Sequence, residues 1–274
     1  MKKTAIGLLT LAIALLATGC QEEDFTEQKK NGGHNGVLKG VFSVSDTKKV
    51  HFSKGNLIAT IDATGTPTAW KFAANQYDYC NDGNWTIGTA AGDVDYFGWS
   101  TNATAYGINT SKNASDYSGS FKDWGTAIDD KGTWRTLSAE EWEYLFNDRI
   151  VNGGTKEGYS YQRAYLDRKK TNAIYGIILY PDNYTAQITE EFYAIEQWPE
   201  LEKAGCVFLP AAGGRYGDDH NGYIGWRGYY WSSSTSSDSS FKASHLFFHG
   251  DRVSPSYYTS RYLGFSVRLV TEIK

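Results

Sequence analysis

Residues 213–265 almost lack four residue types that the rest of the chain uses freely. Lys242 is the only Glu, Gln, Lys or Met in this stretch, whereas residues 1–212 hold 12 Glu, 6 Gln, 16 Lys and 1 Met. At that rate about nine would be expected, so the depletion is an informative property of the segment. The segment contains seven Tyr and eleven Ser instead, and all of its acidic residues are Asp. Rigid Tyr and adaptable Ser and Asn side chains are typical of binding surfaces, and we predict one here.

The whole chain also lacks a surplus of basic residues. It has 27 Lys and Arg against 31 Asp and Glu in 274 residues, a net charge of −4. No basic stripe is present, so we predict no nucleic-acid partner. Proline is scarce, with 5 Pro against 29 Gly, which favours many tight turns. A hydrophobic content of 41% and an aromatic content of 15% exclude general disorder, and a chain of this length can bury a sizeable core.

The N-terminus has the pattern of a targeting segment. Lys2 and Lys3 precede the apolar run Ile6–Ala17, which has the length of a signal peptide and is too short to span a bilayer. The run ends in Ala17-Thr18-Gly19-Cys20, which resembles a bacterial lipobox with Ala17 in place of the usual Leu. We therefore predict a signal peptide over residues 1–19 and a lipidated Cys20; a plain secretory signal with a coincidental Cys is the alternative.

A polar stretch separates Cys20 from the rest of the chain. We predict that residues 20–36 form a flexible, lipidated tether. Its start, Gln21-Glu22-Glu23-Asp24, resembles the acidic export tag that sends some lipoproteins to the outer face of the outer membrane, although a solvated spacer has the same composition. The lipid would attach the protein to the membrane. We therefore expect a lipid-anchored protein of the outer membrane that faces the cell exterior.

Two further cysteines, Cys80 and Cys206, remain in the exported part. They could form a disulfide, or they could be two isolated thiols, because the sequence does not show whether they meet. The chain contains no CxxC motif.

From Val37 onward, short alternating segments predict a β-rich domain over residues 37–270. Two alternating segments that flank a turn at Asp46-Thr47-Lys48 predict a hairpin over residues 41–53. Residues 100–120 are rich in Ser, Thr, Asn and Gly and predict a long loop. Further strands are predicted at 56–61, 69–72, 174–180, 206–209 and 264–270, the last of them alternating.

Two helices are predicted. The first begins at Ser138, which forms an S-x-x-E capping box with Glu141, while Leu137 can pack on Trp142 across the cap. The second is predicted to begin at Thr189. Its buried side would carry Phe192, Ile195 and either Trp198 or Leu201.

Three segments resemble the formylglycine-generating-enzyme-like superfamily. Trp134–Tyr144 is similar to its W-R-L-P-T-E-A-E-W-E-Y segment, Gly228–Ser233 to its Trp-centred strand, and Gly264–Arg268 to its terminal G-F-R-V-A-R strand. The resemblance implies an α+β, C-type lectin-like fold with two helices and short twisted antiparallel sheets. The enzymes of this superfamily use a pair of cysteines near the C-terminus that bind copper. This chain has no Cys after Cys206, so we predict no enzyme activity and no cofactor.

Nearly all of the mature chain resembles the variable proteins of diversity-generating retroelements. Those proteins carry Leu-Pro-Ala-Ala-Gly before a variable cassette and Gly-Phe-Ser-Val-Arg-Leu-Val after it, as Leu209–Gly213 and Gly264–Val270 do here. Their AAY codons become NNY codons, which cannot encode Glu, Gln, Lys, Met or Trp. The resemblance implies a variable cassette over about residues 213–265, from which Trp226 and Lys242 depart. A Tyr- and Ser-rich β-surface without diversification is the alternative.

On this interpretation, Trp231, Phe265 and Val267 belong to the core, while exposed side chains of the cassette face a protein or glycan ligand. Aromatic and Arg residues dominate binding hot spots, so the strongest anchors should be Trp226, Tyr257, Tyr258, Tyr262 and Arg252. For any one side chain, core packing or simple exposure is the alternative. The residues predicted to face the ligand are Tyr216, Asp218, Asp219, His220, Trp226, Arg227, Phe241, Lys242, His245, His249, Asp251, Arg252, Tyr257, Tyr258, Arg261 and Tyr262.

Other chemistry has weak support in the sequence. His245, His249 and Asp251 could approach a metal ion, and Asp93 and Asp95 with the 78–84 turn could offer oxygen ligands to Ca²⁺, but neither group completes a ligand set. No G-x-S-x-G, P-loop or dinucleotide fingerprint is present. We therefore predict a ligand-binding lipoprotein without a catalytic or metal site. An enzyme of the formylglycine-generating type with an altered site, or a structural adhesin or pilus-associated subunit, are the alternatives.

Overall fold

The computed structural model describes residues 36–80, 82–151, 160–167, 173–185, 192–219 and 222–273. The predicted signal peptide, Cys20, nearly all of the predicted tether and His220 lie outside these residues. The chain from Gly36 to its end forms one compact unit. No helix in the described ranges is long and apolar enough to cross a membrane.

Short strands dominate the described residues, and α-helix is confined to brief segments, so the fold is α+β. The helices are α1 (Gly125–Ile128), α2 (Ala139–Glu143), which continues as a π-helical turn over Tyr144–Asp148, and α3 (Trp198–Lys203), with short 3-10 turns at Asp82–Trp85, Ala105–Gly107, Ala114–Tyr117 and Ile195–Gln197. The strands are β1 (Phe42–Ser43), β2 (Lys49–Phe52), β3 (Leu57–Ile61), β4 (Pro67–Phe72), β5 (Gly92–Val94), β6 (Arg135–Thr136), β7 (Tyr161–Asp167), β8 (Ala173–Leu179), β9 (Phe192–Ala194), β10 (Val207–Pro210), β11 (Arg215–Tyr216), β12 (Arg227–Thr235), β13 (Lys242–His249), β14 (Arg252–Ser260), β15 (Leu263–Gly264) and β16 (Leu269–Glu272).

These strands form small sheets that are antiparallel except where β7 pairs with β9. The orders are β1-β2-β16-β6, β10-β8-β7-β9, β4-β3-β5 and β12-β13-β14, and β11 pairs with β15. The hairpin predicted over residues 41–53 is confirmed, because β1 and β2 pair with Phe42 opposite Val50. The C-terminal strand β16 lies between β2 and β6, so both ends of the described chain meet in one sheet.

The predicted capping box at the start of α2 is confirmed. The Oγ atom of Ser138 accepts a hydrogen bond from the Glu141 amide at 3.2 Å, and the Glu141 carboxylate accepts one from the Ser138 amide at 2.9 Å. Trp142, Leu145 and Phe146 are buried along one side of this segment. The cap therefore fixes the point at which this part of the chain enters the core.

The helix predicted from Thr189 is wrong over residues 192–194, but its later part is confirmed, since residues 195–203 are helical. Phe192–Ala194 is strand β9, paired in parallel with β7, and the α-helix begins only at Trp198. Pro199 fits the first turn of a helix, where its missing N–H group has no intrahelical partner to lose. Residues 186–191, which include the predicted start, lie outside the described residues.

The predicted alternating strand over residues 264–270 is only partly present. β15 ends at Gly264 and β16 begins at Leu269, and every residue between them is buried. Phe265 and Val267 belong to a core cluster that also contains Trp231, as predicted for these framework residues. Arg268 is 1% exposed and donates a hydrogen bond to Oε1 of Gln76 at 2.9 Å. Buried and exposed side chains do not alternate here because the protein covers both sides of this segment.

Cys80 and Cys206 are free thiols, which resolves the two alternatives for this pair. Cys206 is fully buried, and this burial raises the pKa of its thiol to about 12. A thiol in such surroundings behaves as a small hydrophobic side chain.

Candidate ligand-binding site

The sheet β12-β13-β14 has one face in the protein core. Tyr230, Leu246 and Phe248 are fully buried in a cluster that also contains Trp142 and Val270. Successive side chains of a strand point to opposite faces. The residues that alternate with these three therefore lie on the other face of the sheet, away from this core cluster.

The pairing register arranges the second face in rows across the three strands. Arg227 lies opposite His249, which lies opposite Arg252. Tyr229 lies opposite Phe247 in the next row. In the third row, Trp231 lies opposite His245, which lies opposite Tyr257. Residues that are far apart in the sequence thus form one continuous surface.

This face lines a cavity of about 490 Å³, which is within the size range of small-molecule sites. The β12–β14 sheet supplies one side, and Gly214–Tyr216, Leu263 and Phe265 supply residues from the adjoining β11 and β15 region. All fourteen lining residues in the described part of the chain lie within residues 213–265. The segment singled out by its composition therefore forms a single concave site.

Aromatic rings make up much of the cavity wall. Tyr229 stacks on Phe265 with ring centroids 4.5 Å apart and an interplanar angle of 6°. Phe247 follows at 5.3 Å from Tyr229, and Tyr257 at 6.0 Å from Phe247. Rings that hold each other in place lose little conformational freedom on binding, which favours affinity.

Two arginines lie among these rings. The guanidinium of Arg227 is 3.9 Å from the ring centroid of Tyr223 and donates a hydrogen bond to Oη of Tyr229 at 3.3 Å. The guanidinium of Arg252 is 5.6 Å from the Phe247 ring and 5.5 Å from the Tyr257 ring. Neither arginine forms an ion pair with any described residue, so both charges are available to a ligand.

Arg215 also lines the cavity, but its side chain is committed to the protein. It is 1% exposed and donates hydrogen bonds to the carbonyl oxygens of Gly217 at 2.6 Å and Asn109 at 3.0 Å. Burial lowers the pKa of its guanidinium to about 10. Arg215 therefore ties the start of the 213–265 segment to the long loop predicted over residues 100–120.

His245 was predicted to be an exposed ligand-facing residue, and the exposure is wrong. The side chain is 1% exposed, because it is packed among Trp231, Tyr257 and Phe265, although it does line the cavity. Burial lowers the pKa of its imidazole to about 3, against a weaker opposing effect of a hydrogen bond to the Tyr257 backbone. The ring is therefore neutral near pH 7. Its Nδ1 atom is buried and has no hydrogen-bond partner among the described residues.

The structure also bears on the metal sites considered from the sequence. His245 and His249 lie on one face of β13, but residues four apart in a strand are separated by about 13 Å, which is too far to share an ion. Asp95 is buried and accepts hydrogen bonds from the Cys80 amide at 3.0 Å and from Asn84 at 2.7 Å; burial raises its pKa to about 6. Asp93 pairs with Lys71 at 2.6 Å. Among the described residues no group of three His, Cys, Asp or Glu is placed to hold a metal ion.

Arg261 was predicted to face the ligand, and this prediction is wrong. Its side chain is 4% exposed and lies 4.3 Å from the ring centroid of Trp99. Its guanidinium donates hydrogen bonds to the carbonyl oxygens of Tyr117 and Gly119, each at 3.3 Å. Arg261 therefore joins the end of β14 to the 100–120 loop, and it acts as part of the framework.

The remaining predicted residues lie outside the cavity. Asp218 and Asp219 are exposed and pair with Lys112 of the 100–120 loop at 2.9 and 3.2 Å. Tyr262 is half-buried and its Oη is 3.4 Å from that of Tyr216. His220 lies outside the described residues. The others are exposed at the surface: Trp226, Phe241, Lys242, Asp251 and Tyr258.

Large exposed apolar side chains are concentrated in the same segment. Of the eight found among the described residues, only Ile150 and Ile273 lie outside residues 213–265. Trp226 is the most exposed of them, at 69%. Concentrations of this kind are typical of interaction surfaces.

Several cavity residues were missed from the sequence. Tyr223, Tyr229, Phe247, Thr259 and Leu263 line the cavity but were not selected. The period-2 alternation within β12, β13 and β14 could have identified Tyr229 and Phe247, but only with the pairing register in hand.

Comparisons of the chain with family models, curated proteins and solved structures give no match. The support for the candidate site is therefore the geometry of the α+β fold and of its cavity, which is lined by aromatic rings and arginines.

Proposed function

We propose that this protein is a ligand-binding lipoprotein of the bacterial cell surface with a C-type lectin-like fold. Its variable cassette, residues 213–265, would be diversified by a retroelement and would recognise a protein or glycan on another cell, a phage or a host. The observation that carries the proposal is that every described residue lining the 490 Å³ cavity belongs to this segment.

Within the segment, the side chains that hold it to the core are distinct from the side chains that are exposed, and this separation supports diversification. Trp231, Phe248 and Phe265 hold the segment to the core, while Arg252 and Tyr258 on β14 are exposed. Substitutions at exposed positions usually change stability by less than about 0.5 kcal/mol. Such positions can therefore change identity while the fold is retained.

The lipid anchor remains a prediction from the lipobox-like sequence that ends at Cys20. An anchored, outward-facing cavity would meet ligands on neighbouring surfaces, where many weak contacts act together. Mass spectrometry of the N-terminal peptide tests the anchor, since lipidation would add acyl groups to Cys20.

Sequencing the same locus in sister isolates tests the proposed diversification. We expect amino-acid differences to cluster within residues 213–265, at exposed positions and at cavity-lining positions other than Phe265, with the core residues Trp231 and Phe265 unchanged. A reverse-transcriptase gene and a near-identical template repeat should lie nearby. Differences scattered evenly along the gene would refute diversification.

A further inference from the structure

We propose that the cavity binds a carboxylate-bearing sugar residue of an acidic saccharide. This inference rests on the proposed ligand-binding function and specifies the chemistry of the ligand. Three properties of the cavity lead to it: its charge, its neutral polar groups and the shape of its aromatic wall.

The charge of the cavity favours an anion. Arg227 and Arg252 lie in one row of the sheet with His249 between them, and the described lining residues include no Asp or Glu. Strands are about 4.8 Å apart, so the two arginine backbones are separated by roughly 10 Å and their long side chains can converge on one group. The planar guanidinium binds carboxylates through two parallel hydrogen bonds.

The neutral polar groups of the cavity suit hydroxyl groups. The imidazole of His245 is neutral, so one ring nitrogen donates and the other accepts, and its buried Nδ1 has no partner within the described chain. Thr259 and Tyr229 add hydroxyl groups to the lining.

The aromatic wall suits a ring with an apolar face. Tyr229 is held in place by stacking on the buried Phe265, and Phe247 lies beside Tyr229. The C–H groups on one face of a pyranose ring pack well on such rings, while its hydroxyl groups point outward to polar partners. A volume of about 490 Å³ accommodates one or two sugar rings. An acidic amino-acid side chain would satisfy the arginines but would leave the aromatic wall without a partner.

Binding of the full-length mature protein in detergent to immobilised saccharides tests this inference. The probes are oligosaccharides that end in glucuronic, galacturonic or sialic acid, each with a counterpart in which the carboxylate is reduced to an alcohol. Acidic peptides form a third arm. We expect at least one acidic saccharide to bind, at least tenfold more tightly than its reduced counterpart and than the peptides.

Variants assign the effect to the cavity. Arg227→Gln and Arg252→Gln should each weaken binding of the acidic probe at least tenfold, whereas binding of the reduced probe, which has no carboxylate, should weaken much less. Lys203→Gln removes an exposed positive charge on α3, outside the site, and should change the affinity less than twofold. Thermal unfolding checks that all three variants are folded.

Three results would overturn the ligand class: no acidic saccharide binds at millimolar concentration, reduced probes bind equally well, or acidic peptides bind more tightly than saccharides. In the last case, if Arg252→Gln still weakened the peptide complex, the cavity would remain a binding site and only the ligand class would be wrong. The failure of the broader function is seen separately, in evenly scattered differences among sister isolates.

Discussion

Two tryptophans within residues 213–265 allow a direct test of the division between framework and display. Trp231 is 1% exposed and donates a hydrogen bond from Nε1 to the Phe97 carbonyl oxygen at 2.6 Å, whereas Trp226 is 69% exposed. Trp231→Ala would empty a large part of the core, and such changes cost about 3–5 kcal/mol. Trp226→Ala removes mostly solvated atoms and should change stability by about 0.5 kcal/mol or less.

The loss of folding stability in Trp231→Ala has two separable parts, one from packing and one from the hydrogen bond. Trp231→Phe keeps most of the ring volume but removes the hydrogen bond, which contributes roughly 0.5–1.5 kcal/mol. The Phe97 carbonyl would retain its bond from the Phe265 amide at 2.9 Å, so we expect the lower part of this range plus a small packing loss. The ranking should therefore be Trp231→Ala, then Trp231→Phe, then Trp226→Ala.

Urea unfolding followed by tryptophan fluorescence and circular dichroism gives these free energies. A loss of 3–5 kcal/mol corresponds to a fall of about 6–20 °C in Tm for a domain of this size. Equal destabilisation by Trp231→Ala and Trp226→Ala, or a larger effect at Trp226, would show that the segment is not divided in this way.

Three further predictions concern stability and reactivity. Below pH 6.5 the unfolded chain protonates His245, whereas the folded chain does not until about pH 3. As the pH is lowered through this window, the free energy of unfolding should therefore fall by up to about 1.4 kcal/mol per pH unit. His245→Phe should weaken that dependence in urea titrations. Ser138→Ala removes the cap of α2 and should cost about 1 kcal/mol, measured in the same way. Cys206 is buried with its pKa raised to about 12, so iodoacetamide at pH 8 should label its peptide only after unfolding, as read by mass spectrometry.

Each of these predictions has an internal comparison. Asp95 has a raised pKa of about 6 and therefore makes stability fall as pH rises from 3.8 to 6, the opposite direction. It is present in both proteins and cancels in the comparison with His245→Phe. Ser138→Asp restores an N-cap acceptor and should recover the stability lost in the alanine variant. Rapid labelling of Cys206 in the folded protein would contradict the burial described above.

Local interactions explain which elements could be predicted from the sequence. The capping box of α2 and the hairpin β1–β2 depend on residues a few positions apart, so their signals are complete in the sequence. The helix expected from Thr189 was wrong over residues 192–194 because β9 pairs with β7, a tertiary interaction that apolar spacing does not reveal, whereas its later part is helical. The strand expected over residues 264–270 is present only at its two ends, since both sides of the segment between them are covered.

Composition singled out the segment that lines the cavity, but it did not separate the segment's surface from its interior. The prediction that Tyr216, Arg252 and Trp226 are exposed agrees with the structure. His245 and Arg261 are polar residues in the same segment, yet they are buried because they meet rings or carbonyl groups from distant residues. Such partners become visible only when the register of β12–β14 and the path of the 100–120 loop are known.

Because β16 lies between β2 and β6, the last strand of the chain completes a sheet whose first strand begins at Phe42. A gene copy whose reading frame is broken within residues 213–265 would encode a protein without β16. In that protein β2 and β6 would each have an unpaired strand edge. Incomplete products would then expose their interior to proteases before they could be displayed. If residues 213–265 vary as proposed, folding itself would select for intact copies of the segment.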